Sequence, residues 1–355
     1  TVTGQPPLCA AACSRHTEIV LCLVERPGVD VNQAKTDDGQ TPLFAAACRG
    51  HTEIVRCLVE RPGVDVNQAT TYGGQIPLFI AAEQGHTEIV RCLVERPGVD
   101  MNQTRTDAGS TPLYTAANQG HMDIVRCLVE RPGLNVNQAT TTDGATPLYT
   151  AACQGHTESV QCLVERPGVD VNQATTDTGT APLMIAAQGG HLEIVRSLIQ
   201  SGVANLDHTA HDGSNALWDA CYSKHAEICG RLLVAGVTLQ PQHFQHHLTF
   251  ITQVLDWAAE RLACHHRFMM VVLFAMHERS GALVAMIGMV EEVKALVAEF
   301  LDIQTGADLR RLRGITPALQ AIAVNADDDY PDYPDEIEEE DDEDNDEMDD
   351  GDDQD

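Results

Sequence analysis

Short stripes of apolar residues alternate along most of the chain, each at the spacing of an amphipathic helix. In the stretch that follows Gly39, the first stripe is formed by Leu43, Ala46 and Ala47. The second stripe, again at helical spacing, holds Ile54, Val55, Leu58 and Val59. The pattern predicts two short helices, and neither is long enough to be stable alone. Stacking on neighbouring helix pairs therefore has to supply the core.

Start and stop signals bound these two helices. Thr41 is a suitable N-cap residue, and Pro42 fits the first helical position after it. Gly50 can end the first helix in a left-handed conformation, and Pro62 stops the second. The segment 64–68 that follows is predicted to be extended.

The unit repeats at a fixed period. Histidines recur every 35 residues through six units and once more 34 residues later: His16, His51, His86, His121, His156, His191 and His225. Prolines recur in the same phase, with Ala216 in the seventh position. A fixed period in this range is typical of a stacked repeat protein.

At these positions the unit resembles the ankyrin repeat. The resemblance is carried by Gly39-Gln40-Thr41-Pro42-Leu43, Ala46-Ala47, Gly50-His51 and Val66-Asn67, and the match recurs seven times over about residues 4–237. These units are mostly 35 residues long, whereas about 33 residues is usual. The resemblance implies an all-α ankyrin-repeat solenoid with β-hairpin-like loops between the helix pairs.

The ends of the array and the rest of the chain define the predicted domains. The chain begins inside a unit, so the first unit is either a rough cap or follows earlier ones. The seventh unit is degenerate, as a terminal repeat must be, and residues 1–237 are assigned to the array. Helical apolar spacing predicts a C-terminal helical extension over 238–326, packed on the last repeat. Residues 327–355 are predicted to be a disordered acidic tail.

Charge separates the tail from the body. The formal net charge is -31, and residues 327–355 contain 20 acidic residues and no lysine or arginine, which leaves the body at -11. Nucleic acids and anionic membranes are polyanions, so direct binding to either is not expected. No uncharged apolar run reaches the roughly 18–20 residues needed to span a bilayer.

No catalytic signature is present. The sequence lacks a P-loop, a nucleophile elbow and the kinase motif set, so we predict no enzyme activity and no cofactor. Five cysteines share one position of the second helix and are predicted to fill space between stacked helices, which implies a reducing compartment: Cys22, Cys57, Cys92, Cys127 and Cys162. Five asparagines are predicted to hydrogen-bond within their own hairpin: Asn32, Asn67, Asn102, Asn137 and Asn172.

Resemblance to the ankyrin repeat implies that the repeated histidines hydrogen-bond between loops, and no metal site is predicted on them. A different cluster, His243, His246, His247, His265 and His266, lies in the extension. It is interpreted as a polar helix face; the alternative is a zinc or copper site, which would give the extension a metal-dependent activity. The acidic tail offers a second alternative, a chaperone-like binder of basic proteins such as histones.

In ankyrin proteins the hairpin tips and the outward residues of the first helix line a concave binding face. At those positions the units differ, whereas their framework repeats. The resemblance thus assigns partner binding to Lys35, Asp37, Arg49, Thr70, Tyr72, Glu83, Arg105, Asp107, Asn118, Thr142 and Asp177. Neutral drift on an exposed surface is the alternative. The favoured hypothesis is a non-catalytic scaffold or adaptor for another protein, monomeric and intracellular, either cytoplasmic or nuclear.

Overall fold

A computed structural model of the chain describes residues 5–237, and these form seven consecutive pairs of antiparallel helices. The first helices of the pairs are α1 (Pro7–Cys13), α3 (Pro42–Cys48), α5 (Pro77–Glu83), α7 (Pro112–Asn118), α9 (Pro147–Gln154), α11 (Pro182–Gln188) and α13 (Ala216–Tyr222). The second helices are α2 (Thr17–Val24), α4 (Thr52–Val59), α6 (Thr87–Val94), α8 (Met122–Val129), α10 (Thr157–Val164), α12 (Leu192–Gln200) and α14 (Ala226–Ala235). Each helix packs against its partner and against the matching helix of the next pair, which confirms the ankyrin-repeat solenoid.

The predicted helix boundaries hold. Thr41 caps α3, because its hydroxyl accepts a hydrogen bond of 3.0 Å from the Phe44 backbone N–H. Gly50, in the turn after α3, adopts a left-handed φ of 74°. A Cβ atom at Gly50 would also lie 2.8 Å from the His86 ring of the next unit. Glycine is therefore needed both for the turn and for the close approach of the neighbouring histidine.

One continuous apolar core runs through the stack. In the second helix pair, Leu43, Ile54 and Leu58 are all buried, each between the pairs on either side. The first pair has a described neighbour on one side only. Ile19, which matches Ile54 in the repeat, is consequently 50% exposed, whereas Ile54 is 1% exposed.

Two expectations about the second helix and its exit need correction. The cysteine row fills the core only in part: Cys127 is buried, three members are half-buried at the edge of the core, and Cys22 is exposed on the first pair. The segment 64–68 is not extended throughout. It contains a turn at Val66 and Asn67, and the Asp65 carboxylate accepts the Asn67 backbone N–H at 3.0 Å.

Three predicted features concern residues after position 237. The helical extension 238–326, its histidine cluster and the acidic tail 327–355 lie outside the described residues. Among residues 5–237, no helix has both the length and the hydropathy of a bilayer-spanning segment.

Ser159 breaks the repeat inside the core. It occupies the position held by Ile124 and Ile194 in the flanking units, it is 1% exposed, and its hydroxyl has no hydrogen-bond partner. The side chain is smaller than isoleucine, and a buried hydroxyl without a partner costs free energy.

We expect Ser159→Ile to stabilise the array by about 1–2 kcal/mol, because it restores apolar burial and removes the unpaired hydroxyl. Chemical denaturation followed by circular dichroism measures the change. Ser159→Ala removes the hydroxyl without adding volume and separates the two contributions. An unchanged or lower denaturation midpoint in both variants would contradict the interpretation.

Candidate functional site

Six loops connect each helix pair to the next: residues 25–41, 60–76, 95–111, 130–146, 165–181 and 201–215. Each loop folds back on itself through backbone hydrogen bonds, such as that from the Lys35 N–H to the Gln40 carbonyl at 2.9 Å. Neighbouring loops are also joined, since the Thr71 N–H donates to the Asp38 carbonyl at 3.1 Å. Equivalent bonds of 2.8 to 3.0 Å link the later loops. The tips thus form a continuous row held by backbone bonds.

The asparagine row ties the bases of the loops together, and here the sequence prediction was wrong. The Asn32 side-chain amide donates to the Gly63 carbonyl at 2.7 Å, and its oxygen accepts the Asp65 N–H at 2.8 Å. Both partners belong to the next loop and not to the same hairpin. The other four asparagines make the same two bonds.

The histidine row joins the first helices, as the resemblance implied. The Nε2 atom of His51 lies 3.2 Å from the carbonyl oxygen of Cys13, at the end of α1. A carbonyl oxygen only accepts, so Nε2 carries the proton and donates. The next five histidines repeat this contact with the preceding unit at 3.0 to 3.3 Å. These histidines satisfy helix-end carbonyls and so have a structural role.

The predicted binding residues separate by exposure. Six have exposed side chains: Asp37, Arg49, Tyr72, Asp107, Thr142 and Asp177. Four are half-buried: Lys35, Glu83, Arg105 and Asn118. Tyr72 stands out among the tips because 76% of its surface is exposed.

Thr70 does not face outward, contrary to the prediction. It is buried, its hydroxyl donates to the Tyr72 carbonyl at 2.9 Å, and it accepts the Gln75 N–H at 3.1 Å. Thr140 and Thr175 fill the same position and are also buried. This threonine closes the loop from the inside. The residue two positions later, such as Tyr72 or Thr142, forms the exposed tip.

Arg105 connects a loop tip to the end of a first helix. Its guanidinium donates to the Asp107 carboxylate, with Nε 3.0 Å from Oδ1, and lies 3.9 Å from Glu83. The same group sits over the Phe79 ring, 5.5 Å from the centroid, within cation–π range. The hydrogen bond from Arg105 lowers the pKa of Asp107. Because Glu83 ends α5, tips and first-helix ends lie on one surface, which we call the tip face.

Two other predicted polar residues, Lys35 and Asn118, also have side-chain partners within the array. The Lys35 ammonium donates to the Gln40 side chain at 3.0 Å and pairs with Asp38 at 3.8 Å. Asn118 accepts the Thr150 hydroxyl at 2.7 Å, which joins α7 to α9. These contacts fix the side chains in one arrangement.

Asp219 lies in α13 of the last described unit and was not anticipated. It occupies a first-helix position that holds alanine, isoleucine or threonine in the other units. Burial raises the pKa of Asp219 to about 7, and the negative charge of Asp212 acts in the same direction. A hydrogen bond from Ser214 lowers the pKa but does not outweigh these two effects. A charged residue at an otherwise uncharged repeat position was the available sequence signal.

No group of three or more potential ligands among the described residues could hold a metal ion. Burial raises the pKa of Cys48 and Cys153, which lie near the ends of α3 and α9, so neither of these two is an activated nucleophile.

Comparison with known proteins gives a consistent picture. A family model described as "Ankyrin repeats (3 copies)" matches residues 8–105, 78–175 and 168–242. The crystal structure of the ankyrin repeat domain of Bcl-3, a unique member of the IkappaB protein family, is 27% identical with a TM-score of 0.54 over 60% of this chain and 93% of that one. The human ASB11 ankyrin repeat domain is 25% identical with a TM-score of 0.53 over 66% and 100% of the two chains. The chain has no match among curated proteins.

Asp219 makes the stability of the last unit depend on pH. Its folded pKa of about 7 lies above the ordinary aspartate value of 3.8, so the fold favours the protonated carboxyl. This stabilisation is complete below about pH 4 and is lost as pH rises through about 7.

We expect the melting temperature of the wild-type chain to fall more steeply from about pH 5 to pH 8 than that of Asp219→Asn. The asparagine cannot ionise, and the other titrating groups are common to both proteins. Thermal melts at four or five pH values measure the difference, and parallel curves would refute the assignment.

Proposed function

The chain belongs to the ankyrin repeat family, and on that premise we propose that it is a non-catalytic adaptor that binds a partner protein through the tip face. A role in protein–protein interaction is what the family implies. The proposal adds the surface, the residues and the kind of contact. An intracellular location, cytoplasmic or nuclear, and a monomeric state remain predictions.

One observation carries the proposal: the frame of the loops is constant while their tips differ. The asparagine, histidine and backbone bonds recur from unit to unit at nearly the same distances. At the same tip position, successive loops present Asp37, Tyr72, Asp107, Thr142 and Asp177. A rigid frame that holds varied side chains loses little conformational entropy on binding.

Tyr72 is the best placed anchor on this surface. Tyrosine is enriched among the residues that dominate binding energy at interfaces, and this ring is 76% exposed on a loop held at its base. Its neighbours Arg105 and Asp107 are already paired with each other. A partner that covers the ring therefore meets an ordered surface.

Charge favours basic groups on the partner. Two of the three predicted cations, Lys35 and Arg105, are half-buried and paired with carboxylates of the array. Arg49 is the exposed cation among the predicted binding residues. Asp37, Asp107 and Asp177 have exposed side chains at the tips. Positively charged side chains on the partner would complement this row of carboxylates.

Site-specific photo-crosslinking can test the proposed surface in the native source. A photoreactive amino acid is placed at position 72 or 142 on the tip face, or at 91 or 126 on exposed positions of α6 and α8. We expect one partner to be captured from 72 and 142 and not from 91 or 126. Equal capture from both sets would reject the tip face.

The identified partner then allows a binding measurement. We expect Tyr72→Ala to weaken binding about 5- to 30-fold, or 1–2 kcal/mol, because a central aromatic contact is lost. The matched control is Arg91→Ala, which removes an exposed side chain on α6 and should leave affinity unchanged. Melting temperatures of both variants show that the fold is intact.

The acidic tail is the second candidate, favoured by its 20 acidic residues within 327–355. The same crosslinking is repeated with a chain that ends at residue 326. Capture that persists without the tail supports the tip face. Capture that disappears, together with binding that weakens steeply with salt, supports a tail-mediated interaction with basic proteins.

A further inference from the structure

The last described unit carries a joint substitution in its core. In each of the other six units, an alanine of the first helix and a valine of the second are both fully buried. The pairs are Ala12 and Val20, Ala47 and Val55, Ala82 and Val90, Ala117 and Val125, Ala152 and Val160, and Ala187 and Val195. In the seventh unit both positions are cysteine, Cys221 in α13 and Cys229 in α14.

The two sulfur atoms are in contact. Their Sγ atoms lie 3.5 Å apart, and both residues are buried between the two helices. A disulfide requires about 2.05 Å between the sulfurs, so a closure of roughly 1.5 Å would join them. We propose that Cys221 and Cys229 form a reversible disulfide, an oxidative modification site that links the two helices of the last unit.

The paired change and the sulfur contact distinguish this unit. Alanine and valine fill the same space in the other six units, and cysteine replaces both of them in the seventh. Three other units also carry one cysteine on each helix, nine residues apart: Cys13 and Cys22, Cys48 and Cys57, and Cys153 and Cys162. In the seventh unit the two cysteines are eight residues apart, and their sulfur atoms are in contact.

The turn between α13 and α14 gives a route by which the two helices can separate and expose the thiols. Lys224 adopts a left-handed φ of 63° where five other units have glycine, and this conformation is strained for a residue with a side chain. Burial raises the pKa of the Cys221 thiol, which keeps the closed pair slow to react. Oxidation therefore proceeds from a transiently opened turn.

Hydrogen peroxide is the oxidant that we propose for forming the disulfide. One thiolate attacks a peroxide oxygen and breaks the O–O bond, giving a sulfenic acid and, after protonation, water. The second thiol then attacks the sulfenic sulfur, and a second water leaves. Two thiols lose two electrons and two protons, and peroxide is reduced to two waters.

The bond would stiffen the last described helix pair. It links α13, which carries Asp219, to α14, and so opposes opening of the unit. The inference does not depend on the identity of a partner, since the modification can be measured on the isolated chain.

Tryptic mapping of the full chain tests the proposal directly. Cleavage after Arg196, Lys224 and Arg231 places Cys221 in peptide 197–224 and Cys229 in peptide 225–231, with no other cysteine in either. After mild peroxide treatment and alkylation of the remaining thiols, we expect these two peptides to be recovered linked. Dithiothreitol should separate them. Hydrogen exchange over residues 216–235 should slow severalfold on oxidation and recover on reduction.

The matched control is the double variant Cys221→Ala with Cys229→Val, which restores the residues of the other six units. It should fold and show no oxidant-dependent change in hydrogen exchange over residues 216–235. Recovery of both wild-type peptides in alkylated form after oxidation would overturn the proposal. So would linkage of either peptide to other cysteine peptides in equal yield.

Discussion

Every feature of this array depends on one constraint: a helix pair can bury its apolar face only against the next pair. Leu58 of the second pair is fully buried, whereas Ile19 of the first pair is half exposed because one neighbour is missing among the described residues. Stability thus depends on the interfaces between units as well as on the units themselves. The polar groups at each interface must then be satisfied across the same boundary, and Asn32 and His51 do so with partners in an adjacent unit.

This constraint also explains why the loop tips can vary. The bonds that hold a loop lie at its base and along its backbone, where Asn67 and Thr71 contact neighbouring loops. Side chains at the tip, such as Tyr72, take little part in them. The structure therefore separates the residues that maintain the stack from the exposed tip residues, which we propose to contact a partner, and only the first group has to repeat.

Local signals in the sequence were sufficient to predict the helices but not to predict the contacts between units. Thr41 and Gly50 act within one turn of chain, so their roles were predictable. The partner of Asn32 is 31 residues away, and its choice depends on how closely the loops stack. Thr70 faces inward because its hydroxyl closes the loop, which a variable sequence position does not reveal. Cys22 is exposed because it lies at an end of the stack.

The regular period has a consequence for how such a chain changes over evolutionary time. Since each unit from the second to the fifth bonds to its neighbours through the same asparagine, histidine and glycine positions, units are interchangeable at their boundaries. An unequal crossover in the coding DNA that gains or loses one whole unit would join surfaces that already fit. The length of the array is therefore a heritable variable that can change in single steps without a new interface having to arise.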